Sequence, residues 1–151
     1  METNQGLEMK QVDMLQQSDN QLSVFRSYFN VRETMDRIED NLIAMRVTVF
    51  DVIDQGELSR KAGLDLPPTE VILFGAPDIG GQLMMHNRHI AIDLPLKILV
   101  WEDTEGGVWA GYTPASVIAA RFHMEQHPVI EEMDALLEDI VLNSVHAGIE
   151  A

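Results

Sequence analysis

The chain has 151 residues, 46% of them hydrophobic, enough for one well-formed core and short for two. Its formal net charge of -15, from 25 acidic against 10 basic residues, repels phosphate backbones and anionic headgroups, so neither nucleic acid nor a membrane surface is an expected partner. The absence of cysteine excludes disulfides, thiolate nucleophiles and Cys-ligated metal centres.

The opening METNQGLEMKQVDMLQQSDN has neither a basic n-region nor an apolar h-region, and no apolar run approaches the length of a membrane span. The expected compartment is the cytoplasm. Residues 1–20 read as a flexible extension, in which Met9, Val12, Met14 and Leu15 can form a short docking turn. Leu22, Val24, Phe25, Tyr28 and Phe29 then predict a strand over 21–29. The period changes at Val31. Met35, Ile38, Leu42 and Met45 recur in steps of three and four, which predicts a helix over 31–44 with Asn30 as N-cap and Glu33 three residues on.

MRVTVFDVID returns to strand character, QGELSRKAG reads as a short helix closed by Gly63, and a proline-stiffened loop follows. Residues 70–74 form a buried strand ending at the cluster GAPDIGG, with a helical turn predicted over 82–86. Strands over 96–102 and 108–112 are joined by DTEGG, whose Gly106 and Gly107 can take positive φ. Thr113 before Pro114 starts a short helix to Arg121. Residues 128–145 carry a broad apolar stripe through Met133, Leu136, Leu137, Ile140 and Val141, ended by Gly148. This order is α+β with a largely antiparallel sheet.

The blocks VFDVID, LPPTEVILFGAPDIGGQLM and AIDLPLKILVWEDTEGGVWAGY resemble the pattern of the domain of unknown function 302 family, over roughly Leu22 to His123. The resemblance implies a TBP-like fold, a curved sheet backed by helices, and a tendency to exchange segments and pair as a homodimer. It divides the chain into the extension 1–20, a domain over 21–123, and a C-terminal amphipathic helix over 124–151 that packs on the domain or at a dimer interface. It implies no reaction, and the fold label carries no DNA binding with it. Three positions depart from the family pattern. Asp54-Gln55 stands where the family has Asp-His, FGAP replaces FGNP, and Gly80-Gly81 replaces Gly-Thr. An amide at Gln55 cannot act as a general base near neutral pH.

The glycine cluster is not a P-loop, because Gln82 follows Gly80-Gly81 where a lysine is needed and Asp78 places a negative charge in the loop. Two readings remain: a sharp exit from the sheet with close helix packing, or a small-ligand pocket. The candidate binding residues are Asp54, Gln55, Gly75, Ala76, Pro77, Gly80, Gly81, Met84 and Asp93. Asp93 can fix the bend before its strand by accepting N–H bonds, or face the pocket as a polar anchor.

His123 and His127 have the i, i+4 spacing of a zinc helix, but the intervening Glu125 is misplaced and Pro128 disfavours helix at His127. His86 and His89 lack a third ligand, so no metal and no cofactor is expected. Glu102, Asp103 and Glu105 read as a solvated hairpin tip. The C-terminal helix has an acidic outer face, Glu131, Glu132, Asp134, Glu138 and Asp139, and either covers its own sheet or also forms a subunit interface. The expected function is a small-molecule binding or accessory module without catalysis. The alternatives are an enzyme for a small organic substrate using Asp54 or Asp93 as acid/base, and an interaction protein acting through the C-terminal helix.

Overall fold

A computed structural model describes residues 20–147. The N-terminal extension, its docking turn and the helix stop at Gly148 lie outside the described residues. Strand β1 (Ser23–Ser27) leads into helix α1 (Val31–Ala44), followed by β2 (Thr48–Asp54), α2 (Gln55–Lys61), β3 (Thr69–Gly75) and α3 (Pro77–His86). A 3-10 helix (Arg88–Asp93) precedes the hairpin of β4 (Leu96–Glu102) and β5 (Val108–Tyr112); α4 (Ala115–Arg121) and α5 (Val129–Val145) complete the described chain.

The strands form an antiparallel sheet in the order β1-β5-β4-β3-β2. Alternation assigns its faces. Glu70, Ile72 and Phe74 of β3 and Leu96, Ile98 and Val100 of β4 are buried on the helix-covered side, while Val71, Leu73 and Leu99 are half-buried on the other. The α1 stripe of Val31, Met35, Ile38 and Leu42 covers the inner face. Asn30 caps it, its side-chain oxygen accepting the Glu33 N–H at 2.8 Å. Helix α5 packs on α1, β1, β5 and α4, within its own chain. Arg37 of α1 secures it: Nε donates to the Ser144 carbonyl at 2.9 Å, and Nη2 donates to those of Asn143 at 3.2 Å and His146 at 2.9 Å. These carbonyls end α5, where a cation satisfies groups the helix leaves unpaired.

Three local expectations are corrected. Helix α3 begins at Pro77 rather than at Gln82, so Gly80 and Gly81 lie inside a helix and not in a turn. Proline is well placed at the first helical position, where its missing N–H is no loss. Gly75 is the last residue of β3 and has no positive φ, so the chain leaves the sheet without a left-handed residue there. Residues 88–93 form a 3-10 helix, started by Asn87 Oδ1 accepting the His89 N–H at 3.0 Å. In DTEGG only Gly106 has positive φ; Gly107 is needed for space, since a Cβ there would sit 2.8 Å from an Asp103 carboxylate oxygen.

Candidate functional site

A cavity of about 450 Å³ opens at the end of the sheet where β3 leaves and β4 enters. Phe74, Gly75 and Leu96 form its sheet side. Pro77, Gly80 and Met84, at i, i+3 and i+7 of α3, share the helix face that closes one wall, with Ala76 and Ile79 beside them. Ala91, Leu94 and Pro95 come from the 3-10 segment and its exit, and Met133 and Leu136 from α5. Val47 and Phe50 enter from the start of β2. Phe50 sits at a β-bulge between Val49 and Asp51, and its ring lies 3.5 Å from where a Gly75 Cβ would be. The extra residue re-aims that side chain toward the cavity. Among the described residues, none lining the cavity has a polar side chain.

Of the sequence candidates, Gly75, Ala76, Pro77, Gly80 and Met84 line this space. Gly81 does not; a Cβ on it would meet no heavy atom within 4 Å. Asp54 and Gln55 lie at the far end of the β2–β3 ladder: Asp54 pairs with Glu70 whereas Thr48 pairs with Gly75. Five residues of strand separate these pairs, roughly 17 Å. Asp54 is instead the N-cap of α2, accepting the Glu57 N–H at 2.8 Å, and Gln55 is the exposed first residue of that helix. Asp93 accepts from Arg121 Nη1 at 2.6 Å, tying the 3-10 segment to α4, and it lines a separate small cavity of about 130 Å³ with Lys97 and Thr113. The sequence does not single out Val47 and Phe50, the residues Ala91, Leu94, Pro95 and Leu96 of the 3-10 segment and its exit, or Met133 and Leu136 as pocket residues. The α5 pair belongs to the apolar stripe already visible there, but its target could not be read locally.

Other polar groups are set apart from this cavity. Glu70 faces inward, 4% exposed, with Arg32 Nη1 at 2.8 Å from its Oε1; the contact satisfies an ion pair but not hydrogen-bond geometry. Burial pushes its carboxyl above the ordinary 4.5, Arg32 opposes this, and Asp54 and Asp36 add to it. Asp103 accepts from Trp109 Nε1 at 2.8 Å and from the Gly107 and Glu105 N–H groups at 2.8 and 2.9 Å, and these bonds, the indole's first, hold its carboxyl below the usual range. It organises the hairpin tip. His86 and His127, one from each histidine pair, meet edge-to-face at 6.0 Å between ring centres. Among the described residues no three His, Cys, Asp or Glu side chains gather as a metal site. The cavity can hold apolar matter; the described residues of its walls supply no acid, base or nucleophile.

The chain is 40% identical over 103 residues to the fluoride-specific ion channels FluC 1 of Brucella suis biovar 1 and Brucella abortus biovar 1. The match covers 68% of this chain but only 41% and 38% of those proteins, so the chain spans about two fifths of the length of these curated relatives. No helix among the described residues is long and apolar enough to cross a membrane. The fold is similar to the crystal structure of an uncharacterized conserved DUF302 protein from Bacillus stearothermophilus, with a TM-score of 0.67 at 18% identity over 82% of this chain and 94% of that one. The model of the domain of unknown function DUF302 matches residues 23–140, and the chain belongs to that family.

Proposed function

We propose that this chain is a small-molecule-binding accessory module whose ligand occupies the cavity beside α3. The observation that carries the reading is an apolar space of about 450 Å³ assembled from β2, the β3–α3 exit, the 3-10 segment and α5. Its volume lies in the range of small-ligand sites. Catalysis is disfavoured because Asp54 and Asp93, the two acid/base candidates, are engaged in a helix cap and an ion pair away from the cavity. Native mass spectrometry of the freshly purified full chain tests the reading. A small organic species should accompany the folded protein and leave it on denaturation. A chain of bare mass in every preparation, taking up no apolar compound added later, would contradict it.

The accessory part of the reading draws on the relatives. A segment like this chain makes up about two fifths of proteins named as fluoride-specific ion channels, and no helix of the described residues could serve as their membrane path. The proposed role is therefore attendant to such proteins rather than conducting. We also propose that the chain pairs with itself, supported by the apolar exposure of Ile43, Met45 and Phe50 about the edge strand β2. Sedimentation at micromolar concentration should give the mass of a dimer; a monomer throughout that range would refute it.

A further inference from the structure

We infer that the cavity selects an uncharged, hydrocarbon-rich molecule and rejects carboxylates, phosphates and free halide ions. This rests on the reading of the cavity as a ligand site and names the ligand class. The described lining side chains are all apolar, so a charged group carried inside would lose its water and gain no side-chain partner among them. Main-chain donors beside the cavity are partly engaged: Ile79 and Gly80 both donate their N–H groups to the Ala76 carbonyl at 2.9 Å, and Leu94 donates to the Ala91 carbonyl at 3.2 Å.

The N-terminus of α3 borders the cavity and would ordinarily attract an anion. Here Pro77 removes one N–H from that end, and Asp78 sets a carboxylate in the first turn, so the helix end is already opposed by negative charge. The net charge of -15 acts in the same direction at longer range. Two methionines, Met84 and Met133, give the walls adaptable surface suited to a hydrocarbon of no fixed shape. Gly80 adds an independent sign. It sits inside a helix at negative φ, where a Cβ would meet only Leu94 at 3.8 Å, so sterics do not demand glycine. Its missing side chain leaves cavity volume at the expense of helix propensity.

The test is displacement of N-phenyl-1-naphthylamine, a neutral fluorescent probe, from the full chain at neutral pH by octanol, nonanol, decanol and decanoate. The probe should bind once per chain. Each added methylene in the alcohols should tighten competition about fourfold, and decanoate should compete about tenfold or more weakly than decanol. Decanoate matching or exceeding decanol would overturn the ligand class while leaving the cavity as a ligand site. No saturable probe binding and no alcohol binding by calorimetry would overturn both. Gly80→Leu, which fills the space, should abolish probe binding; Gly80→Ala, which makes only ordinary contacts, should weaken it in a chain that remains folded. Unchanged probe affinity in a folded Gly80→Ala chain would place the probe elsewhere and overturn the assignment.

Discussion

Replacing the two adjacent glycines of α3 by alanine, one at a time, separates helix stability from cavity volume. Both lie in the interior of a ten-residue helix, and neither has a positive φ. At such positions glycine costs about 0.8–1 kcal/mol relative to alanine, because it gives up more backbone freedom on folding. A Cβ on Gly81 meets nothing within 4 Å, and one on Gly80 meets only Leu94 Cδ1 at 3.8 Å, an ordinary contact. Each variant should therefore be more stable than the parent by about 1 kcal/mol, raising Tm by about 2–4 °C for a chain of this size. Their effects on ligand should differ. Gly80 lines the cavity and Gly81 does not, so Gly80→Ala should weaken binding about tenfold, the lower end of what one methyl group does in a close-fitting apolar pocket, and Gly81→Ala should leave it unchanged. Denaturant melts and probe titrations on the same preparations give both quantities. Loss of stability in Gly80→Ala, or equal affinity losses in the two variants, would refute the reasoning.

Two further substitutions test what holds the frame around the cavity. Arg37→Ala removes three charge-assisted bonds to the end of α5 and the stacking of the guanidinium over Phe29, 4.3 Å from its ring centre. It should cost about 1–3 kcal/mol by chemical denaturation, and a loss below a few tenths would show that water replaces those bonds freely. For Glu70, a folded-state pKa raised above 4.5 means that the native chain holds this proton to higher pH than the unfolded chain does. Its contribution is then complete below that value and is lost as pH rises through the folded pKa. The stability of the parent relative to Glu70→Gln should therefore fall as pH rises above about 4.5. A difference that grows with pH would show the Arg32 pair outweighing burial.

Local pattern carried much of this fold. The α1 bounds and its Asn30 cap followed from periodicity and one side chain, and both strands of the β4–β5 hairpin followed from alternation around DTEGG. Helix α3 was harder, because proline and two glycines within five residues have the composition of a turn. Tertiary contact of Ile79, Leu83 and Met84 with the core overrides that propensity. The candidate site was legible only along one stretch of chain. Gly75 to Met84 could be grouped because they are neighbours, whereas Asp54 and Gln55 were grouped with them by position in family blocks. Strand register sends that pair to the opposite end of the ladder, and register is a property of pairing rather than of local sequence. Met133 and Leu136 reach the cavity from a helix that begins more than forty residues after α3, so no short-range signal could have joined them to Gly80.

Methionine-methyl NMR tests the central claim most directly. The full chain, labelled at its methionine methyl groups, would be titrated with decanol and followed by carbon–proton correlation spectra. Met84 and Met133 line the cavity; Met35 and Met124 are buried away from its lining, and Met85 is 91% exposed. The account predicts saturable shifts at Met84 and Met133, with Met35, Met124 and Met85 essentially still. Shifts centred on Met85, or changes spread evenly over the methionines, would place the ligand on the surface or in a loosened core and contradict a preformed cavity beside α3.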